Sequence, residues 1–387
     1  MSYDAAYAGL RVLDLSQGAA APHCAMLLAQ HGADVIKVEP PEGDWVRGLG
    51  AVHGEHSALS LVYNLGKRSI ALDLKSAQGV EAVLRIAAHS DVVLESFRPG
   101  VAERLGVGFE AVRARNRRIV YASVSGFGQS GPYRERPCTD MVAQAYTGFM
   151  SINQGADGIP HKVNTIIMDT VTGVYAFAQV AAALAGGHDE PDGVHLDLSL
   201  SACGAALQAP KLVEYALEGA QAQRLNSPAG TFRTADGWIT ITLTKEVHFR
   251  KLCAALELPE LAADDRFASF AARAANHDAL VAILAQRLRT RATESWRATL
   301  LAHDVLAERI YSHGEWLADE QTRAIGAAPP VEVAGIGMVP MPLVPGRRAH
   351  RGGVPRVGEH GAEVLAQFGY SAQQIQALAA AGVLRLP

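Results

Sequence analysis

Apolar and polar positions alternate in short blocks through the first half of this chain. Leu10-Arg-Val-Leu-Asp-Leu-Ser16 has the length and apolar content of a buried strand. Gly18-Ala-Ala-Ala-Pro22 then turns into small apolar residues, which predict a helix through Met26, Leu27 and Leu28 to Gly32. Ala33-Asp-Val-Ile-Lys-Val-Glu39 predicts the next strand. Strand, tight turn, helix, strand is a βαβ unit, whose parallel strands have a right-handed crossover and buried faces. The texture repeats, with predicted strands over 69–74, 91–97 and 118–125 and helices opened by Ser76 and over 101–115 between them. Alternation at this spacing predicts an α/β fold, a Rossmann-like doubly wound parallel sheet.

One later stretch departs from that texture. Val163-Asn-Thr-Ile-Ile-Met-Asp-Thr-Val-Thr-Gly-Val-Tyr-Ala-Phe-Ala-Gln-Val-Ala-Ala-Ala-Leu184 is apolar or small after Asp169, with no basic residue before His188. It predicts a helix buried nearly all round, with Asp169 in the first turn. There the free N–H groups and the positive end of the helix dipole favour an anion. Such an aspartate stays ionised and can serve as a nucleophile. The competing reading is a plain N-cap, a role for which Asp is among the preferred residues.

Beyond a strand at 194–200 the pattern changes. Gln221 to Gly230 is polar, Thr231 to Leu243 reads as two strand-like arms around the Ala235-Asp-Gly237 turn, and 245–325 is dominated by helical spacing. Proline-rich segments around 327–345 read as a linker, and Ser371-Ala-Gln-Gln374 caps a terminal helix closed by Gly382. The expected organisation is a large domain of 1–203 and 331–387, completed by the C-terminal segment. A linker helix at 204–224, a smaller α+β domain at 225–325 and a returning linker at 326–345 make up the rest.

Composition narrows the classes. At 387 residues the chain exceeds what one core usually serves, and 49% hydrophobic residues exclude disorder. Thirty-five basic against 39 acidic side chains give a formal charge of −4, too balanced for a non-specific nucleic-acid binder. The start, Met-Ser-Tyr-Asp-Ala-Ala-Tyr, lacks a basic region followed by an apolar core, and no later run of about twenty apolar residues stands out. A cytoplasmic protein without membrane or nucleic-acid partners is expected. Cys24, Cys138, Cys203 and Cys253 show no metal-ligand spacing and read as reduced thiols. Gln17-Gly-Ala-Ala-Ala-Pro22 lacks the spaced glycines of a dinucleotide fingerprint, so a nicotinamide cofactor is not expected, and nothing else in the sequence indicates a metal or redox cofactor.

Candidate chemistry gathers where parallel strands should end, the place where open α/β sheets bind ligands. Lys67, Arg68 and Lys75 surround one predicted strand, and Ser96-Phe-Arg-Pro-Gly100 with Arg104 follows another. These cations are either a phosphate grip or solvated surface charge. Phe97 offers a face for a flat base. Gly126-Phe-Gly-Gln-Ser-Gly-Pro-Tyr133 forms a loop leading to Asp140, read as the cap of a helix over 141–149.

Six stretches, met in this order, resemble the family III CoA-transferases, the group of the formyl-CoA and carnitine CoA-transferases. They are Gly9-Leu-Arg-Val-Leu-Asp with Ala20-Ala-Pro22, Gly32-Ala-Asp-Val-Ile-Lys-Val-Glu39, Lys67-Arg-Ser-Ile-Ala-Leu-Asp-Leu-Lys75, Phe97-Arg-Pro-Gly100 with Arg104, Gly128-Gln-Ser-Gly-Pro132, and Val357-Gly-Glu-His360. The resemblance runs nearly end to end and implies an interlocked homodimer with no tightly bound cofactor. An acyl-CoA and a carboxylic acid are the implied substrates, the acid expected to be small or dicarboxylic. It places the family's nucleophile on Asp169, which would form a mixed anhydride and then an aspartyl-CoA thioester, and an assisting acid on Asp140. Some members place a glutamine in the first turn where Ala19 stands here, which leaves the backbone amides of Gly18, Ala19, Ala20 and Ala21 as oxyanion donors. The implied CoA contacts are Gly18, Leu72 to Lys75, Ser96, Phe97, Arg98, Arg104 and Arg136. Pro40 replaces one family arginine, and Ser227-Pro-Ala-Gly230 is short for the family's glycine-rich covering loop.

Two other functions remain open on sequence. Racemase relatives use a histidine where Thr139 stands, although Asp169 and Glu246 fall where those enzymes keep acidic residues. A non-catalytic CoA-binding protein is the third reading. Arg347, Arg348, Arg351 and Arg356 are candidate partners for an acceptor carboxylate.

Overall fold

Six strands lie parallel in the central sheet of the computed structural model, which describes residues 5–155, 158–186, 192–219 and 226–387. They are β1 (Arg11–Asp14), β2 (Asp34–Glu39), β3 (Arg68–Leu72), β4 (Val92–Glu95), β5 (Val120–Ser125) and β6 (Val194–Ser199). Their order is 3-2-1-4-5-6, that of a doubly wound sheet. Val12 of β1 pairs in register with Val35 of β2 and Val92 of β4, so β1 lies mid-sheet. The chain returns to this sheet at its end, where Leu384–Arg385 pairs antiparallel with β3.

Because both faces are covered, the strands need apolar residues on both sides. On one face Val12, Val35, Leu94 and Val124 pack with α1 (Ala20–Gln30) and α4 (Ile167–Ala185). On the other, Leu13, Ile36 and Ile70 pack with α2 (Ala77–Ala87) and the C-terminal helices Gly361–Gln367 and Ala372–Ala380. The C-terminal segment therefore supplies an edge strand and part of a face.

Helix α4 corrects one expectation. Met168, Thr172, Gly173, Ala176 and Val180 are buried, a stripe at helical spacing, while Val174 and Tyr175 are 48% and 37% exposed. Apolar composition did not mean burial all round, because only the stripe facing α1 and the sheet is covered. Nor is a long apolar run missing: by length and composition alone this helix could cross a membrane. Its buried stripe belongs to the core of the α/β unit.

The chain divides into two units, 1–209 with 326–387 and 210–325. The second has an antiparallel sheet of Gly230–Arg233, Trp238–Thr242 and Leu306–Arg309. The predicted turn at Ala235-Asp-Gly237 joins the first two of these strands. Phe232, Ile239, Phe267 and Trp296 centre its core. The predicted linker helix 204–224 falls on the end of helix Leu200–Leu207, on helix Ala209–Glu218, and on residues 220–224, which lie outside the described residues.

A buried ionic network sets the end of β1. Lys67 Nζ lies 2.7 Å from Asp14 Oδ2, Lys37 Nζ lies 2.9 Å from Asp44, and Arg47 pairs with Glu39 at 2.7 Å. Ser69 Oγ donates to Glu39 (2.7 Å) and accepts from the Gly358 amide (2.9 Å), which ties the late Val357-Gly-Glu-His360 motif to β3. Charges buried this deeply persist only when paired and hydrogen-bonded.

Candidate active site

Between β1 and β4 the strand order reverses, and their carboxyl ends open a crevice. Ser96 Oγ bridges it, donating to the Gln17 carbonyl (3.0 Å) and accepting from the Gln17 amide (2.9 Å). A cavity of about 700 Å³ extends from there, and Gly18, Ala19, Ala20, Ser96, Phe97, Asp140 and Asp169 all line it.

Asp169 is the third residue of α4, whose N-cap is Ile166. The plain N-cap reading of Asp169 is therefore overturned. The helix start is served instead by Asp140, at the first position of α3 (Asp140–Tyr146), with Thr139 as the residue before that helix. Asp140 Oδ2 accepts from the amides of Met168 (2.6 Å) and Asp169 (3.2 Å), and Oδ1 accepts from Gln144 Nε2 (2.5 Å). Gln144 is fully buried and also binds the segment before α4, accepting from the Val163 amide at 2.9 Å.

Burial, with a smaller push from the neighbouring Asp140 carboxylate, raises the Asp169 carboxyl to about 7. The expectation that a helix start simply keeps this group ionised is corrected, because desolvation outweighs the helix dipole. Among the described residues no cation pairs with Asp169, so it is not a structural ion-pair member.

The turn between β1 and α1 faces the same cavity. Gly18 has φ +82°, and a Cβ there would come within 2.8 Å of Trp45, so only glycine fits. Its amide donates to Asp44 at 3.2 Å, which removes it from the oxyanion donors expected in this turn. The Ala19 and Ala20 amides have no acceptor among the described residues, and Ala20 opens helix α1. Gly173 lets α4 approach this turn, since a Cβ would meet the Ala20 carbonyl at 2.7 Å. Behind it, His23 Nδ1 lies 3.2 Å from the Thr170 carbonyl, and the His23 ring is 5.2 Å from that of Tyr63.

The model of CoA-transferase family III matches residues 7–361. The succinate–glutarate CoA-transferase of Agrobacterium fabrum is 33% identical, over 93% of this chain and 95% of that protein. The succinyl-CoA–D-citramalate CoA-transferase of Chloroflexus aurantiacus is 33% identical over 92% of each chain. The chain belongs to CoA-transferase family III. Its fold agrees with the crystal structure of a CaiB/BaiF family protein from Brucella suis, at TM-score 0.83 and 33% identity, over 93% of this chain and 98% of that one. It is thus an enzyme acting on an acyl-CoA and a carboxylate.

Within this family III enzyme the residues read as CoA contacts divide into two groups. A second cavity of about 320 Å³ is lined by Leu72, Lys75, Phe97, Gln17 and Pro40, and it shares Gln17 and Phe97 with the large one. Arg98, Arg104 and Arg136 are exposed and line neither. Arg136 lies with its guanidinium 3.6 Å from the Tyr133 ring centre. Lys67 and Arg68 are corrected outright as phosphate ligands. Lys67 is buried on Asp14, and Arg68 pairs with Asp34 at 2.7 Å and Glu363 at 3.1 Å.

Arg347, Arg348, Arg351 and Arg356 do not line the large cavity. Glu246, in the second unit, pairs with Arg273 at 2.7 Å and accepts the Phe270 amide. Gln144 and Lys162 are among the lining residues that escaped the sequence reading. The first had a legible signal, since it stands four residues after Asp140 on one helix face.

Proposed function

We propose that this enzyme moves CoA from an acyl-CoA donor to a dicarboxylic acid through covalent intermediates on Asp169. The observation that carries the reading is a cation-free carboxylate at a helix start, lining a 700 Å³ cavity at the reversal of strand order. An Asp169 oxygen attacks the thioester carbonyl, the C–S bond breaks, and CoA leaves as thiolate from an acyl-aspartyl anhydride. The thiolate attacks the aspartyl carbonyl, the anhydride C–O bond breaks, and the donor's acid departs as its carboxylate. The acceptor carboxylate then attacks the aspartyl-CoA thioester, and the two steps run in reverse to give the new acyl-CoA and Asp169.

Each tetrahedral intermediate carries an oxyanion. The amides of Ala19 and Ala20, at the positive end of α1, are suited to stabilise it, each such donor contributing roughly 3 kcal/mol. Asp140 assists by holding the start of α4 and thereby the Asp169 backbone. Coenzyme A would lie across the second cavity, with Leu72, Ser96 and Phe97 against its base and backbone and Gly18 allowing close approach. Lys75, which lines that cavity, would serve as a phosphate partner, with Arg98, Arg104 and Arg136 as the further basic candidates. The named substrates of the relatives, succinate, glutarate and D-citramalate, favour a dicarboxylic acceptor. The exposed apolar side chains of α4 support a homodimer.

Steady-state transfer by Asp169→Asn and Asp169→Ala tests the nucleophile. Both should lose roughly a thousandfold or more in turnover while still binding CoA. Full transfer by both variants would show that Asp169 is not the nucleophile.

A further inference from the structure

A dicarboxylic substrate brings a second charge into a cavity whose lining already includes two acidic residues, Asp140 and Asp169. We propose that Lys162 binds the distal carboxylate of such a substrate and so selects dicarboxylic over monocarboxylic acyl groups. This rests on the reading of Asp169 as nucleophile and adds a subsite to it.

Lys162 is the single cation among the described residues that line the large cavity. It is exposed, and no acidic side chain pairs with it among the described residues. The two neighbouring acids lie on other partners: Asp140 is taken up by Gln144 and two amides, and Asp169 is the reacting group. An ammonium on a flexible four-carbon stem suits a carboxylate whose distance from the reacting end varies by a methylene.

The segment carrying Lys162 is placed relative to the nucleophile by one buried side chain. Gln144 Oε1 accepts from the Val163 amide at 2.9 Å, and its Nε2 lies 3.3 Å from the carbonyls of Val163 and Thr165. The same Nε2 donates to Asp140, whose other oxygen receives the first amides of α4. The cation and the nucleophile thus hang from a shared clamp, the residue after Lys162 at one end and Asp169 at the other. Asn164 and Thr165, on the same segment, line the cavity beside it.

The charge balance also argues for the assignment. Approach of a dianion to Asp169 and Asp140 is repulsive in a partly desolvated cavity, where screening is weak. A cation in the lining offsets that repulsion for the distal carboxylate, whereas a monocarboxylic acyl-CoA has nothing to offer it. Discrimination then comes from an unpaired charge on one side or the other.

The test measures the rate of CoA attachment to the protein from succinyl-CoA, glutaryl-CoA and butyryl-CoA, in wild type and in the Lys162→Met and Lys162→Arg variants. The wild type should react faster with the two dicarboxylic thioesters. Lys162→Met should shift the succinyl-to-butyryl ratio of second-order attachment rate constants towards butyryl-CoA by about tenfold or more, and Lys162→Arg should restore part of it. An unchanged ratio in Lys162→Met, or a wild type that does not prefer dicarboxylic thioesters, overturns the subsite while leaving Asp169 intact as nucleophile. Absence of any attachment in wild type from all three thioesters removes the nucleophile assignment, and the subsite with it.

Discussion

Asp169 is held in a place where a carboxylate is costly to ionise, and two features decide its chemistry. Burial first, and the Asp140 charge second, together raise its titration to about 7. The attacking species is the carboxylate, so the rate of CoA attachment should rise with pH through about 7 and level off above it. A pH profile of attachment between pH 5 and 9 checks this, and a rate independent of pH across that range counts against it. Stability has the opposite sign. A carboxyl raised above its unfolded value contributes stability fully present below the unfolded value and lost as pH rises through about 7. Asp169→Asn, neutral throughout, escapes that loss. Its melting temperature should exceed that of wild type at pH 8 and approach it at pH 5.

At the scale of elements, the site is made by two helix starts brought together. Gly173 is the contact that permits it, since a side chain there would strike the Ala20 carbonyl and His23. Gly173→Val should push α4 from α1, cost about 1–3 kcal/mol of stability, and slow CoA attachment at least tenfold. Thermal melts and attachment rates read both effects. The βαβ units were legible because buried parallel strands leave apolar runs, and the start of α4 was legible from Asp169 before an apolar stretch. The cap of α4 was not, because Asp140 lies 29 residues earlier in the chain and meets it only after folding. Lys67 shows the same limit: a lysine beside a strand looks like a phosphate ligand until Asp14, 53 residues away, is seen against it. The exposed side of α4 escaped because composition marks apolar residues, not what covers them.

Over the whole molecule, the chain order and the spatial order differ in a way that matters for the site. Residues from the C-terminal segment close the sheet edge beside β3 and join the ionic network under the β1–α1 turn through Ser69 and Glu39. The strand order itself, with its reversal between β1 and β4, places that turn and Ser96 on one crevice. No local pattern reveals such an order, because parallel pairing joins strands distant in the chain. Six ordered motifs nonetheless indicated the family, and the named relatives agree in being CoA-transferases. The covalent route through Asp169 is the central claim. Its most direct measurement is mass spectrometry of protein incubated with succinyl-CoA and then digested. CoA attached as a thioester to the peptide carrying Asp169 is the expected result. A protein that transfers CoA to an acceptor acid while no CoA ever appears on that peptide would contradict it.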